Sequence, residues 1–156
     1  MRKSALIASL ALAGVIALPS TAGFAHHAVQ NQFITSDEGL LQKRGTLVKV
    51  DWINPHAWFH FAEVDADGNP VIGPDGRQVV WSTETTGPNG LRRAGIADRR
   101  LFQVGDLYTF SGYVSRTYDQ ETGEGDTTMF TNEIILPDGR AIGIATFQDA
   151  STLGTL

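Results

Sequence analysis

Hydrophobic and polar residues alternate along much of the chain, and Gly, Pro, Asn or Asp bounds each alternating run. A period of two is the pattern of β-strands that bury one face, and the bounding residues are typical of turns. The pattern predicts five strands, at Gly45–Val50, Ala57–Val64, Gln78–Thr83, Leu107–Val114 and Thr128–Leu136. Residues 141–145 are expected to add a short final strand.

The second predicted strand has two chemically different faces. One face is apolar and is interpreted as core, whereas the other carries His56 and His60 with Trp58 between them. Asn54–Pro55 precedes this strand, and we expect a bend or bulge there because proline lacks an amide donor. The predicted core residues are Ala57, Phe59, Phe61, Val80, Leu107, Phe110, Ile134 and Leu136.

A short helix is predicted between the third and fourth strands. Pro88 lies near its start, Arg92 and Arg93 lie in its last turn and Gly95 follows, as is typical of helix ends. Three strands, a helix and two strands is the order of an OB-fold. We therefore predict an all-β protein with one short helix and a five-stranded OB-like β-barrel. A small β-sandwich is the alternative.

The first residues have the three-part pattern of a secretory signal peptide. Arg2 and Lys3 give a basic start, an uncharged apolar run follows, and small residues precede position 26. Export to the periplasm or the medium, of the Gram-negative type, is expected, with no stable membrane anchor after cleavage. The predicted segments are a signal peptide at 1–25, an N-terminal arm at 26–42 and a β-barrel domain at 43–156.

The charge balance and the lack of cysteine exclude several classes of site. Cleavage after residue 25 removes two of the 12 basic side chains, which leaves 10 against 17 acidic ones and a net charge of −7. An acidic exported protein is a poor partner for nucleic acid, because the phosphate backbone repels it. The chain has no Cys, so disulfides, thiolate metal sites and cysteine nucleophiles are absent.

The four histidines form two pairs that predict a metal site. After cleavage His26 would be the N-terminus, so its amine and ring can chelate one ion, as Cu(II) prefers. His27 adds a second ring, and His56 is the expected third arm. In a regular strand His56 and His60 lie about 13 Å apart, which disfavours a shared ion. We therefore predict copper at His26, His27 and His56, although the histidines can also be merely polar.

The alternative prediction is a binding module without metal, for a small ligand or a partner protein. Its candidate residues form an aromatic face and a basic cluster: Trp52, Trp58, Trp81, Glu84, Arg92 and Arg93. The competing interpretation is that the arginines pair within the molecule, with Glu84 as the expected partner of Arg92 or Arg93. No particular protein partner is indicated.

An enzyme is the less favoured interpretation. Ser82, Glu84 and His56 have the side-chain types of a catalytic triad. The strand–turn–helix motif that presents a nucleophilic serine in hydrolases is absent around Ser82. We therefore expect binding rather than catalysis, and no cofactor other than copper.

Several short motifs together resemble one family of small exported proteobacterial proteins, a family that carries only a domain-of-unknown-function label. The motifs are His26–His27, Trp52–Trp58, Trp81 with Glu84, Gly87–Gly95, Gly105–Asp106 and Leu136–Arg140. They span nearly all of the expected mature chain, and their order is fairly specific. The resemblance implies a small β-barrel and no established activity.

Overall fold

A computed structural model describes residues 29–144 of the chain. Its strands are β1 (Leu40–Asp51), β2 (Trp58–Glu63), β3 (Val80–Glu84), β4 (Leu107–Val114), β5 (Thr128–Ile135) and β6 (Ala141–Gly143). The helix α1 (Pro88–Arg93) lies between β3 and β4, as predicted. Residues 29–32 are also helical, and 3-10 turns lie at Asp37–Gly39 and Arg99–Leu101. Within residues 29–144, no helix is long and apolar enough to cross a membrane.

All six strands belong to one sheet with the order β3-β2-β1-β4-β5-β6. These neighbouring strands are antiparallel, and β3 also forms a short parallel pairing with β5. The hydrogen bonds therefore follow a partial ring through β1, β2, β3, β5 and β4. The prediction of a mostly β fold is confirmed, with one sheet rather than the two of a β-sandwich.

The core is built around aromatic rings on β2 and β4. Phe61 stacks on Phe110 with ring centroids 4.4 Å apart, and Phe59 lies 4.5 Å from Phe102. Six of the predicted core residues are buried: Ala57, Phe59, Phe61, Phe110, Ile134 and Leu136. The alternation predicted for β2, with Phe59 and Phe61 inside, is confirmed.

Two core predictions, Val80 and Leu107, are wrong, because in each strand the next residue is the one that faces inward. Val80 is 40% exposed and Leu107 is 39% exposed. Both are the first residue of their strand. The next residues, Trp81 and Tyr108, face inward instead and are essentially buried. A large aromatic residue fills more core volume than Val or Leu, so its burial decides which face of the strand points inward.

The predicted interruption before β2 is confirmed. Strand β1 ends at Asp51, the Asn54–Pro55 peptide bond is cis, and β2 begins at Trp58. The chain therefore makes a connection between two antiparallel strands that holds His56 away from the regular ladder. This places His56 beside the end of β3.

The N-terminal arm is anchored on the sheet. Phe33 is buried and packs on Phe130 of β5, with ring centroids 5.9 Å apart. The Ile34 amide donates to the Val114 carbonyl at 2.9 Å. The arm therefore lies beside β4 and β5.

Candidate functional site

His56 contacts Glu84 at the end of β3. The Nδ1 atom of His56 and the Oε1 atom of Glu84 form a close polar contact. The His56 side chain is 42% exposed, whereas the Glu84 side chain is only 11% exposed. The pairing expected between Glu84 and Arg92 or Arg93 is wrong, since Glu84 faces the loop before β2 instead.

Backbone hydrogen bonds hold the His56 loop against the segment after β3. The Ala57 carbonyl accepts from the Thr85 amide at 2.9 Å and from the Thr85 hydroxyl at 3.0 Å. On the other side, Gly87 passes so close to the Pro55 carbonyl that a side chain at this position would collide with it. The loop and the segment leading into α1 therefore form one packed unit, which fixes His56 next to Glu84.

The His56–Glu84 contact determines which ring nitrogen of His56 is available. An ionised carboxylate only accepts hydrogen bonds, so Nδ1 of a neutral His56 carries the proton and donates it to Glu84. The lone pair then lies on Nε2. No residue within 29–144 makes a hydrogen bond to that nitrogen. A half-exposed imidazole with a free Nε2 can bind a metal ion or accept a proton.

His60 occupies a different environment on the outer face of the sheet. Its Nδ1 lies 3.0 Å from the Ser82 hydroxyl, and its Nε2 lies 3.1 Å from Oδ2 of Asp51. The strand register creates this row, because His60 of β2 lies opposite Ser82 of β3 and opposite Lys49 of β1. Asp51, His60 and Ser82 therefore form a line across three strands, and we call it the His60 row.

Asp51 is the anionic end of the His60 row. The Lys49 ammonium lies 2.7 Å from Oδ2 of Asp51. The hydrogen bond from Lys49 lowers the pKa of Asp51 below the usual value. Desolvation opposes this shift, and the contact with His60 adds to it. Asp51 is therefore an ionised acceptor at neutral pH. It requires the proton of a neutral His60 to lie on Nε2, which leaves Nδ1 to accept from Ser82.

Comparison with known proteins identifies the family. The model of a family described as a family of unknown function, DUF6152, matches residues 14–124. The chain belongs to this family. The match confirms the resemblance inferred from the motifs, and all of them except Leu136–Arg140 lie within the matched range. A comparison with the curated proteins found no match.

The three tryptophans of this DUF6152 chain do not share one surface. Trp81 is fully buried, and its indole N–H donates to Oε2 of Glu63 at 2.7 Å. Trp52 is partly buried and packs edge-on against Phe59 in the core. Trp58 alone lies on the outer face of β2, next to His60. Of the predicted aromatic face, only Trp58 is therefore placed to contact a ligand on that face.

The basic cluster lies on α1 and the turn after it. Arg92 donates to the side chain of Asn89 at 2.9 Å, and Arg100 pairs with Asp98 at 2.7 Å. The Arg93 side chain is exposed and makes no hydrogen bond or ion pair with any residue in the described part of the chain. Within those residues, internal pairing therefore occurs at Arg92 and Arg100 but not at Arg93.

The proposed copper ligands are only partly within the described structure. His56 is described, whereas His26 and His27 lie outside residues 29–144. Within that range, no group of three His, Asp or Glu side chains is close enough to hold a metal ion. A metal site with three such side chains that includes His56 would therefore take at least one of them from outside this range.

The sequence pattern did not predict the His60 row. It pointed to Ser82 with Glu84 and His56, whereas the structure places Ser82 beside His60 and Asp51. The sequence holds one signal for this row, which is that Asp51, His60 and Ser82 lie on the polar faces of predicted strands or next to them. Only the pairing register shows that they meet, and that register depends on the irregular connection before β2.

Proposed function

We propose that this chain is an exported metal-binding protein that holds Cu(II) with His26, His27 and His56. The observation that carries the proposal is the contact of His56 with Glu84. Histidines that bind metal commonly donate their second ring N–H to a carboxylate, which fixes the ring and increases its basicity. Glu84 acts on Nδ1 in this way and leaves Nε2 of His56 for the ion.

The anchored arm supports the involvement of the N-terminal histidines. Phe33 packs on Phe130, which lies opposite Glu84 in the β3–β5 register, and Glu84 contacts His56. His27 precedes Phe33 by six residues. Residues 29–32 are helical and rise only about 1.5 Å each, so this segment reaches up to about 15 Å, still beyond the spacing of about 5 Å between neighbouring strands. The arm is therefore long enough to bring His27 to His56.

The donor types favour copper over other ions. A free amine and imidazoles form the nitrogen-rich, square set that suits Cu(II). Cysteine is absent, which removes the thiolate sites typical of structural zinc. Export to the periplasm is part of the proposal, because the terminal amine of His26 exists only after a signal peptide at 1–25 is removed.

The finer fold assignment is also a proposal, namely a five-stranded OB-like barrel. The ring order β1-β2-β3-β5-β4, the parallel β3–β5 pairing and the helix between β3 and β4 support it. Strand β6 adds to the edge of β5 outside this ring. In such a barrel the His56 loop connects the first two strands at one end of the molecule.

The experiment uses protein purified from the periplasm with its native N-terminus. Mass spectrometry should give a chain that begins at His26, and elemental analysis with electron paramagnetic resonance should show one Cu(II) with nitrogen ligands. A Gly placed before His26, or His56→Ala, should weaken copper binding. His60→Ala is the matched control and should leave affinity unchanged. Unchanged affinity in both the Gly-extended protein and His56→Ala would refute the site.

A second candidate is a binding module for a small anion, favoured by Arg93, whose side chain has no partner within residues 29–144. Phosphate should then raise the melting temperature through preferential binding to the folded state. The gain should disappear in an Arg92→Ala/Arg93→Ala double variant. Arg77→Ala is the control, because Arg77 lies on a distant turn and pairs with Asp75. An equal rise in melting temperature with phosphate in the wild type, the double variant and Arg77→Ala would indicate a general salt effect.

A further inference from the structure

The hydrogen bonds of the His60 row run in one direction, from Ser82 through His60 to Asp51, and the copper proposal does not use them. We propose that Ser82 is a nucleophile, with His60 as its general base, that reacts with activated esters. Ser82, His60 and Asp51 lie on three neighbouring strands, with separations of 3.0 Å and 3.1 Å between their hydrogen-bonding atoms. A nucleophile in contact with a base that is oriented by a third group is the general arrangement for activating a hydroxyl.

The hydrogen-bond directions in the row follow from Asp51. The Asp51 carboxylate can only accept, so the neutral His60 donates from Nε2, and its Nδ1 lone pair faces the Ser82 hydroxyl. The hydroxyl therefore donates to a base rather than accepting from one. The alternative tautomer would leave an acceptor nitrogen facing an acceptor carboxylate. Asp51 is thus a positioning residue that acts on Ser82 through His60.

The sheet holds the row in place and supplies a neighbouring contact surface. Trp58 lies on the same face as His60, two residues earlier on β2, and opposite Glu84. The diagonal spacing to Ser82 on the next strand is about 7 Å, within reach of a large aromatic side chain. A small ester with an apolar or aromatic group fits this position, because that group can pack on the partly buried indole.

The proposed reaction is an acyl transfer that balances without a redox partner. The Ser82 oxygen attacks the ester carbonyl carbon, and its proton passes to Nδ1 of His60. Asp51 stabilises the resulting imidazolium. The bond to the leaving alcohol then breaks, the alcohol takes the proton from His60, and an acyl ester of Ser82 remains.

The backbone around Ser82 makes both acylation and turnover slow. The Ser82 amide donates to the Thr127 carbonyl at 3.0 Å as part of the pairing between β3 and β5. It is therefore not free to stabilise an oxyanion, which in hydrolases supplies a large part of the rate. Acylation and deacylation both pass through an oxyanion, so both should be slow, and the reaction is best detected as a covalent adduct with a strongly activated probe.

A dialkyl fluorophosphonate is the appropriate probe, because its reaction with serine releases fluoride and leaves a stable mass increase. Peptide mapping should place the adduct on Ser82. Ser82→Ala should abolish it, and His60→Gln should lower the labelling rate by about 100-fold, the usual size of general-base catalysis. Ser115→Ala is the matched control and should label normally, since the Ser115 hydroxyl contacts the hydroxyl and the amide of Thr117 and has no histidine partner among the described residues. Circular dichroism checks that each variant is folded.

Two further measurements separate this proposal from a structural role and from copper binding. Asp51→Asn should move the pH of half-maximal labelling to a lower value, because the imidazolium loses a stabilising carboxylate; the other charges near this face, Lys49 and the His56–Glu84 pair, are unchanged. Labelling should persist with EDTA and in His56→Ala. Absence of an adduct at Ser82, or equal labelling rates in folded His60→Gln, would overturn the proposal whatever the copper result.

Discussion

The two histidines of the second strand region, His56 and His60, lie only four residues apart but differ in the chemistry open to them. His56 lies in an irregular loop, contacts one carboxylate and keeps one ring nitrogen free of partners within residues 29–144. His60 lies in a regular strand and has both ring nitrogens engaged. The loop histidine is therefore suited to binding from outside, and the strand histidine is suited to proton transfer within a fixed row.

The difference arises from the backbone on either side of Trp58. Before it, the chain leaves the ladder between Asp51 and Trp58, and Gly87 packs against Pro55 there. After it, β2 pairs on both sides, so His60 has a neighbour on β1 and one on β3. A side chain between two paired strands meets partners at fixed distances, whereas one on a loop faces solvent.

The largest expected effect comes from the core residue that lies between the two regions. Phe59 is fully buried and packs against Phe102 at 4.5 Å. Phe59→Ala should lower the free energy of unfolding by about 3–5 kcal/mol, because it removes a buried ring and leaves a cavity. Urea denaturation followed by circular dichroism measures this change.

Ile53→Ala is the matched control for Phe59→Ala. Ile53 lies in the connection before β2 and is 57% exposed. Its truncation should change stability by less than about 0.5 kcal/mol, as for most surface substitutions. A loss for Phe59→Ala as small as that of the control would mean that β2 turns its other face to the core. The assignment of His56 and His60 to the outside would then fail.

A smaller effect is expected on Cu(II) affinity, which should depend on the carboxylate of Glu84 but not on that of Asp51. Glu84→Ala should weaken Cu(II) binding by about 10–100-fold, the usual loss when the carboxylate behind a ligating histidine is removed. Glu84→Gln keeps an acceptor for Nδ1 of His56 and should recover part of the affinity. Asp51→Asn should leave it unchanged, because Asp51 contacts His60 rather than His56. Isothermal titration with Cu(II) gives these values.

A loss of copper affinity in Asp51→Asn as large as that in Glu84→Ala would contradict the separation of the two regions. It would mean that the His60 row and the His56 loop act on the same ion. An unchanged affinity in Glu84→Ala, with the fold intact, would instead remove the observation that carries the copper proposal. Near-ultraviolet circular dichroism provides the check on folding.

Sequence patterns predicted the elements better than the contacts between them. The bounds of β4 and the position of α1 were predicted correctly, because clear alternation and helix-end residues mark them. Strand β1 begins at Leu40, five residues before the predicted start at Gly45. Residues 40–44 lie opposite β4 in the register. Pairing with a partner strand extends β1 there, although its own sequence alternates only weakly.

The contacts around His56 and His60 depend on how strands pair, and the sequence of one strand does not contain that information. Trp81 was assigned to a binding surface because of its residue type, yet Glu63 accepts its N–H inside the protein, so its polar atom is satisfied when buried. The His60 row depends on the register between three strands, which a shift of one residue would destroy. Residue type and alternation do not specify that register.

The smallest expected effect concerns the charge that holds the His60 row. The pKa of Asp51 is lowered in the folded protein, chiefly by Lys49. The unfolded chain then binds a proton at Asp51 more readily than the folded protein, so this contribution to stability is present above the ordinary carboxyl pKa of 3.8 and is lost as pH falls below it. The melting temperature of Asp51→Asn should therefore approach that of the wild type between about pH 5 and pH 2.

Lys49→Ala should reduce the same acid dependence, because it removes the main cause of the lowered pKa. The Lys49–Asp51 pair is exposed to solvent, so 1 M NaCl should also narrow the difference between wild type and Asp51→Asn at neutral pH. If the melting temperatures of wild type and Asp51→Asn differ by the same amount at every pH down to pH 2, the neighbours of Asp51 do not lower its pKa.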